Sequence, residues 1–101
     1  MKKFSLILLT IASLFATDHI VNQKNKTFMP GTLHVKVGDT ITFKNSDDFS
    51  HNAYTDDEEN EFDVGMQDTG ETTSIKVKHK GEFLIKCAIH PNMLIKVKAD
   101  K

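Results

Sequence analysis

The chain has no arginine and no tryptophan, and its 101 residues include a single cysteine. Without arginine it lacks the planar guanidinium group that recognises phosphate with two parallel hydrogen bonds. The 13 lysines are matched by 14 acidic residues, so the chain also lacks the basic excess of a nucleic-acid-binding domain. One cysteine cannot form a disulfide within the chain. The length leaves room for one small domain.

The first sixteen residues have the pattern of an export signal. Met1-Lys2-Lys3 is a basic start, residues 4–15 are almost free of charge, and Ala16 is a small residue suited to cleavage. The apolar run is too short to span a bilayer. A membrane anchor or a buried hydrophobic strand is the alternative interpretation. Because Leu14 stands where a small residue is usual, we expect the mature chain to begin at Thr17 or nearby.

We therefore expect a signal peptide over residues 1–16 and one exported, periplasmic domain over residues 17–101, with no stable membrane insertion. That domain keeps eleven lysines against 14 acidic residues, a net charge of −3. Small exported domains commonly rely on disulfides, which the lone Cys87 cannot provide. Metal ligation is the most economical role for this thiol, because a bound metal also stabilises a domain with a small core.

Alternating apolar and polar residues predict β-strands along most of the chain. The alternation over residues 33–37 and again over 40–44, with Gly38-Asp39 between them, predicts a hairpin with one buried face. A short apolar pair, Ile20-Val21, predicts an earlier strand. The turn cluster at residues 45–48 precedes a return toward the core at His51.

Four later segments show the same alternation of apolar and polar residues. Glycine-containing turns separate them, and no helical period follows the leader, so the sequence predicts an all-β sandwich. The alternation in the last two strands directs the Cys87 thiol and the Met93 thioether toward the interior. The segments are Phe62–Met66, Thr73–Val77, Phe83–Cys87 and Met93–Val97.

The segment from Asp56 to Glu61 is a block of acidic residues that we expect in a loop or at an exposed edge. Two interpretations are open. The block is either a solvated face or an electrostatic docking patch that speeds encounter with a basic partner.

The potential metal ligands are concentrated between Cys87 and Met93, where a thiol, an imidazole and a thioether occur within seven residues. Sulfur ligands combined with histidine favour copper over zinc, magnesium or calcium. His90 follows Cys87 by three residues and precedes Met93 by three, so one tight loop can present all three side chains to one point. A trigonal site needs a second histidine, for which we select His51. Met66 is the rival of Met93 as axial ligand, but it is distant from the loop in sequence.

We do not expect the remaining histidines to bind the metal. His34 alternates outward, His79 stands between lysines and His19 lies near the mature end, so we expect all three on the solvated surface. Asn52, beside His51, is well placed to hydrogen-bond the backbone or the sulfur of the ligand loop and so to orient the ligands.

These residues together resemble the cupredoxins, the small blue copper proteins of the amicyanin and plastocyanin type. The resemblance spans nearly the whole of residues 17–101, and its short ligand loop is similar to that of amicyanin. It rests on Phe28-Met29-Pro30, the segment Val35–Asn45, His51-Asn52, the Gly70-Glu71 turn and the Cys-x-x-His-Pro-x-Met loop at 87–93.

The resemblance implies a Greek-key β-sandwich of about seven to eight strands that binds one type 1 copper ion. His51, Cys87 and His90 would be its equatorial ligands and Met93 its axial ligand. The expected function is single-electron transfer, without enzymatic turnover, by a monomer whose partners include a c-type cytochrome or a quinone-containing dehydrogenase. Copper handling without redox turnover is the alternative. Structural zinc is a third interpretation, but it gives no reason for Met93.

Overall fold

The computed structural model describes residues 15–101, which form an all-β sandwich and confirm the expected fold class. The expected signal peptide, residues 1–16, lies outside the described residues except for its last two. Across residues 15–101, no helix is long and apolar enough to cross a membrane. The nine strands are β1 Asp18–Lys24, β2 Thr27–Met29, β3 Thr32–Lys36, β4 Thr40–Asn45, β5 Tyr54–Thr55, β6 Phe62–Asp63, β7 Thr72–Lys76, β8 Gly81–Lys86 and β9 Leu94–Asp100.

The strands form two sheets. One has the order β2-β1-β4-β7 and the other the order β3-β9-β8-β5-β6. β1 pairs in parallel with β4, and β3 pairs in parallel with β9, whereas the other pairs are antiparallel. The total within residues 15–101 exceeds the expected seven to eight because it includes β5 and β6, two strands of only two residues each.

The predicted hairpin over residues 33–44 is wrong, because β3 and β4 belong to different sheets. Gly38, with a φ of 98°, carries the chain from one sheet to the other, and its N–H donates to the carbonyl of Val77, just beyond the end of β7, at 2.9 Å. Val37 lies beyond the end of β3 and is 38% exposed rather than buried. Alternation identifies the buried face of each strand, but a hairpin and a crossover leave the same alternation in the sequence.

The two sheets enclose one apolar core. Phe43 of β4 lies at its centre, with ring centroids 6.2 Å from Phe28 and 6.0 Å from Phe62. Aromatic pairs at this separation add stability beyond the area that they bury. Cys87 and Met93 belong to the same buried cluster, which confirms the inward direction predicted from strand alternation.

The acidic block from Asp56 to Glu61 forms the connection between β5 and β6. Its charged side chains reach solvent, as expected, and Asp56 lies 3.5 Å from the Lys86 ammonium group. The uncharged Asn60 of this block is buried instead, and its side chain accepts hydrogen bonds from the backbone N–H groups of Lys78 and His79. Asn60 therefore anchors the block to the sandwich.

Candidate metal centre

His51 is held in a fixed orientation from two directions. It sits in an isolated β-bridge with Gln67, whose two backbone hydrogen bonds measure 3.0 and 2.8 Å. Its ring is fully buried, and Nε2 lies 2.7 Å from a carboxylate oxygen of Asp47. Nδ1 is buried without any hydrogen-bond partner. An unpaired buried ring nitrogen is costly unless something else binds it, and a metal ion satisfies that requirement.

Asp47 connects this histidine to the turn between β1 and β2. Its two carboxylate oxygens accept hydrogen bonds from the backbone N–H groups of Asn25, at 2.7 Å, and Lys26, at 3.1 Å. Both turn residues have a positive φ, 55° and 58°, which aims their N–H groups at the carboxylate. Burial alone would raise the pKa of Asp47, but the hydrogen bonds from His51 and the turn outweigh it and lower the pKa to about 2.

Sequence reasoning missed the role of Asp47 and places this residue only in a turn. The available signal is a carboxylate four residues before a candidate ligand histidine. Metal-binding histidines commonly donate their second ring N–H to such a group, which fixes the tautomer and leaves the other nitrogen free for the metal. Here Asp47 binds Nε2 of His51, and Nδ1 is left without a hydrogen-bond partner and available to a metal.

Cys87 follows the end of β8 and is buried as a free thiol. The backbone N–H of Asn52 donates to Sγ at 3.4 Å, and the side-chain oxygen of Asn52 accepts from the N–H of Ala88 at 3.1 Å. The Asn52 amide nitrogen is itself fixed by Asp63, at 2.8 Å, and by the carbonyl of Gly65. The predicted hydrogen bonds of Asn52 to the sulfur and the backbone of the ligand loop are confirmed.

His90 lies at the outer side of the cluster and is partly exposed. Its Nδ1 is 3.9 Å from Cys87 Sγ, and its carbonyl accepts the Met93 N–H at 2.9 Å, which closes the loop. Burial lowers the pKa of His90, and the nearby His51 and Lys26 lower it further. The ring is therefore kept neutral, the form in which imidazole binds metals.

The structure brings three of the four sequence-predicted ligands together. The donor atoms of His51, Cys87 and His90 all lie within 4.8 Å of one another. Metal–sulfur and metal–nitrogen bonds of roughly 2.0–2.3 Å can bridge that spacing to one ion. Met93, the predicted axial ligand, is 1% exposed, whereas its rival Met66 is 60% exposed. Two imidazoles, a thiol and the buried thioether of the same ligand loop fit a type 1 copper ion.

The aromatic ring of Phe49, which the sequence did not indicate as part of the site, covers the cluster of His51, Cys87 and His90. The Phe49 ring centroid lies 5.3 Å from that of His51 and 5.6 Å from that of His90, and the residue is 42% exposed. The Lys26 ammonium group lies 5.8 Å from the Phe49 centroid, within reach of a cation–π contact. Phe49 follows the turn cluster directly, so sequence periodicity gave no signal for it.

The other histidines do not join the cluster. His34 and His79 are exposed, as expected. His19 differs from the prediction, because it is partly buried and its Nε2 lies 2.9 Å from a carboxylate oxygen of Asp39. The parallel pairing of β1 with β4 causes this, since it places His19 opposite Ile41, two residues beyond Asp39.

Comparison with protein families assigns the chain on independent grounds. Residues 16–99 match the model of the copper binding proteins of the plastocyanin/azurin family. The chain belongs to this family. Copper is accordingly its cofactor, and the cluster of His51, Cys87 and His90 fits the type 1 site of a cupredoxin.

Individual relatives extend this result. The methylamine utilization protein MauL of Methylophilus methylotrophus is 34% identical over 79 residues, covering 75% of this chain and 45% of the relative. Plastocyanin of Solanum tuberosum is 34% identical over 74 residues, covering 62% of this chain and 75% of the relative. The chain therefore spans less than half of the MauL protein and most of plastocyanin.

Solved structures confirm the cupredoxin fold. The Cu(I) form of an amicyanin variant with a methionine-to-alanine substitution superposes with a TM-score of 0.76 at 25% identity, covering 88% of this chain and 89% of the other. A copper-containing nitrite reductase from Thermus scotoductus gives the same TM-score at 26% identity. The match covers 83% of this chain but only 22% of the reductase, so the similarity concerns one part of that protein.

Proposed function

We propose that this cupredoxin is a periplasmic carrier of single electrons, with His51, Cys87, His90 and Met93 as the ligands of one copper ion. Bound copper supplies the Cu(II)/Cu(I) couple. The protein holds the donors in one arrangement, so that little reorganisation accompanies a change of oxidation state. We assign no enzymatic turnover to the chain.

The observation that carries this proposal is the rigid burial of the donor set. His51 is fixed through both its backbone and its Nε2, and Cys87 receives a hydrogen bond from a residue that is itself anchored. Hydrogen bonds to the sulfur and exclusion of water tune the potential of such sites. A donor set held from several directions suits repeated electron transfer without loss of the metal.

Electrons would enter and leave at the His90 edge. His90 is the only partly exposed member of the three-residue cluster within the described chain, because His51 and Cys87 are buried. Phe49 and Ile89, both more than 40% exposed, flank it with apolar surface. A small apolar contact of this kind suits the brief, weak encounters of redox proteins. A c-type cytochrome or a quinone-containing dehydrogenase is the partner class that we propose for the monomer.

Copper handling is the competing function. A protein that passes the ion to another needs donors that a second protein can reach. Here His51 is fully buried and Cys87 is 3% exposed, so such an exchange would require opening of the sandwich. The geometry therefore favours electron transfer.

One experiment tests the proposal and separates it from both alternatives. The chain beginning at Thr17 is loaded with Cu(II), its visible spectrum is recorded and its reduction is followed by voltammetry. An intense thiolate-to-copper band with reversible reduction supports the carrier, and Cys87→Ser abolishes the band. Loss of copper on each reduction would favour handling, and a colourless product would favour zinc. An unchanged spectrum in Cys87→Ser would refute the ligand assignment.

A further inference from the structure

Asp39 is a buried carboxylate outside the metal centre that collects donors from the start of the chain. Its Oδ1 accepts the backbone N–H of Thr17 at 3.0 Å. Its Oδ2 accepts the N–H of Lys36 at 2.9 Å and lies 2.9 Å from His19 Nε2. Burial raises the pKa of Asp39, but these hydrogen bonds outweigh that effect and lower it, so the carboxylate is ionised at neutral pH.

Among residues 15–101, Thr17 is the first that the sandwich holds. Its N–H is bonded to Asp39, and its carbonyl accepts the N–H of Thr40 at 3.0 Å. Phe15 and Ala16, immediately before it, are exposed and belong to no strand. The bond between Ala16 and Thr17 is also the cleavage site expected from the sequence. The first described residue that is hydrogen-bonded to the sandwich is therefore also the first residue after the expected cleavage site.

We propose that cleavage between Ala16 and Thr17 creates an N-terminal ammonium group that forms a partly buried ion pair with Asp39. An endopeptidase that removes export leaders would add water across the peptide bond. Ala16 leaves with the new carboxylate, and the Thr17 amine takes up a proton. The hydrogen bond of the uncleaved chain thereby becomes a charge-assisted pair, which is stronger. This inference rests on the exported state included in the proposed function, but it does not depend on copper chemistry.

The charges around the pair determine its pH dependence. From β1, His19 lies 2.9 Å from Asp39, whereas the Asp18 carboxylate accepts hydrogen bonds from the Thr40 and Thr42 hydroxyl groups. From the end of β3 and the end of the chain, Lys36 and Lys101 line the same cavity as Ala16 and Asp39. Just beyond the end of β7, the Val77 N–H donates to the Asp39 carbonyl. The two lysines oppose the new ammonium group, and the Asp39 carboxylate favours it.

The sign of the pH effect follows from linkage. An ammonium group paired with a carboxylate has a higher pKa in the folded state than the value of about 7.7–8.0 for a free terminus. Its stabilisation is therefore complete below about pH 7.7 and disappears as the pH rises through the folded-state pKa. The precursor, in which Thr17 carries an uncharged peptide N–H, lacks this alkaline loss.

The test compares copper-loaded chains that begin at Thr17 or at Ala16. Both carry one terminal ammonium group, but in the second it is displaced from Asp39 by one residue. We expect the Thr17 chain to unfold about 4–8 °C higher at pH 6.5, with the difference vanishing at alkaline pH. Asp39→Asn should remove the difference, whereas the matched change Asp18→Asn should preserve it.

Equal melting temperatures for the two chains at pH 6.5 would overturn the ion pair without requiring any substitution to fold. The mass of the exported protein provides the second measurement. A mass that begins at Thr17 supports the assignment, and a chain that keeps its leader or begins beyond Thr17 contradicts it. A missing visible band in every chain would refute the copper function while leaving this comparison valid.

Discussion

Asp47→Asn tests how the fold prepares His51 for copper. The carboxylate accepts three donors, from Asn25, Lys26 and His51, on its two oxygens. An amide has only one oxygen, so in either orientation its NH₂ group faces at least one of these N–H donors. The pKa of Asp47 is lowered from 3.8 to about 2, which corresponds to about 2 kcal/mol of stabilisation at neutral pH. We expect the unfolding free energy of the metal-free chain to fall by about that amount.

The same substitution acts on the metal. Loss of a hydrogen-bonding partner behind a ligand histidine typically lowers metal affinity by about 10–100-fold. Removing a negative charge weakens Cu(II) more than Cu(I), so the reduction potential should rise. If only Cu(II) binding changes, the rise is about 60–120 mV, at 59 mV for each tenfold change in a one-electron couple.

Urea denaturation measures the first effect, and competition with a chelator together with voltammetry measures the second. Asp48→Asn is the matched control, because Asp48 is adjacent and exposed and carries the same charge. If the two variants have equal stability, Cu(II) affinity and potential, the proposed positioning of His51 by Asp47 is wrong.

Four further outcomes are expected. Met93→Leu should keep the visible band and raise the reduction potential, whereas Met66→Leu should change neither the band nor the potential. A shift of the reduction potential in Met66→Leu alone would assign the axial position to Met66 instead. Asn52→Ala should cost about 1–3 kcal/mol in urea denaturation, since the Ala88 N–H loses its acceptor; unchanged stability would contradict that role. Phe43→Ala should cost about 3–5 kcal/mol by the same assay, because the ring is fully buried; a loss below about 1 kcal/mol would place it outside the core. Since the pKa of Asp47 is depressed, its stabilisation should be complete above about pH 4 and be lost toward pH 2; an acid titration that shows no such loss relative to Asp47→Asn would contradict the hydrogen bonding.

Much of the fold could be read from alternation because each strand has one buried face. Ile85, Cys87 and Met93 are buried as the alternation in the sequence predicts, although Cys87 lies just beyond β8 and Met93 just before β9. The hairpin over residues 33–44 failed because partner choice is not local. β3 pairs with β9, more than fifty residues further along the chain, and this contact leaves no pattern in either segment.

The sequence by itself determined the metal chemistry, because Cys87, His90 and Met93 are close along the chain and their donor atoms favour copper whatever the fold. Tertiary structure decided everything that depends on distant segments meeting. It brought His51 to the loop, placed Asp47 behind its Nε2 and set Asn52 against the Cys87 sulfur. The physical reason is that ligand preference belongs to individual atoms, whereas orientation, burial and hydrogen bonding arise only when the two sheets pack together.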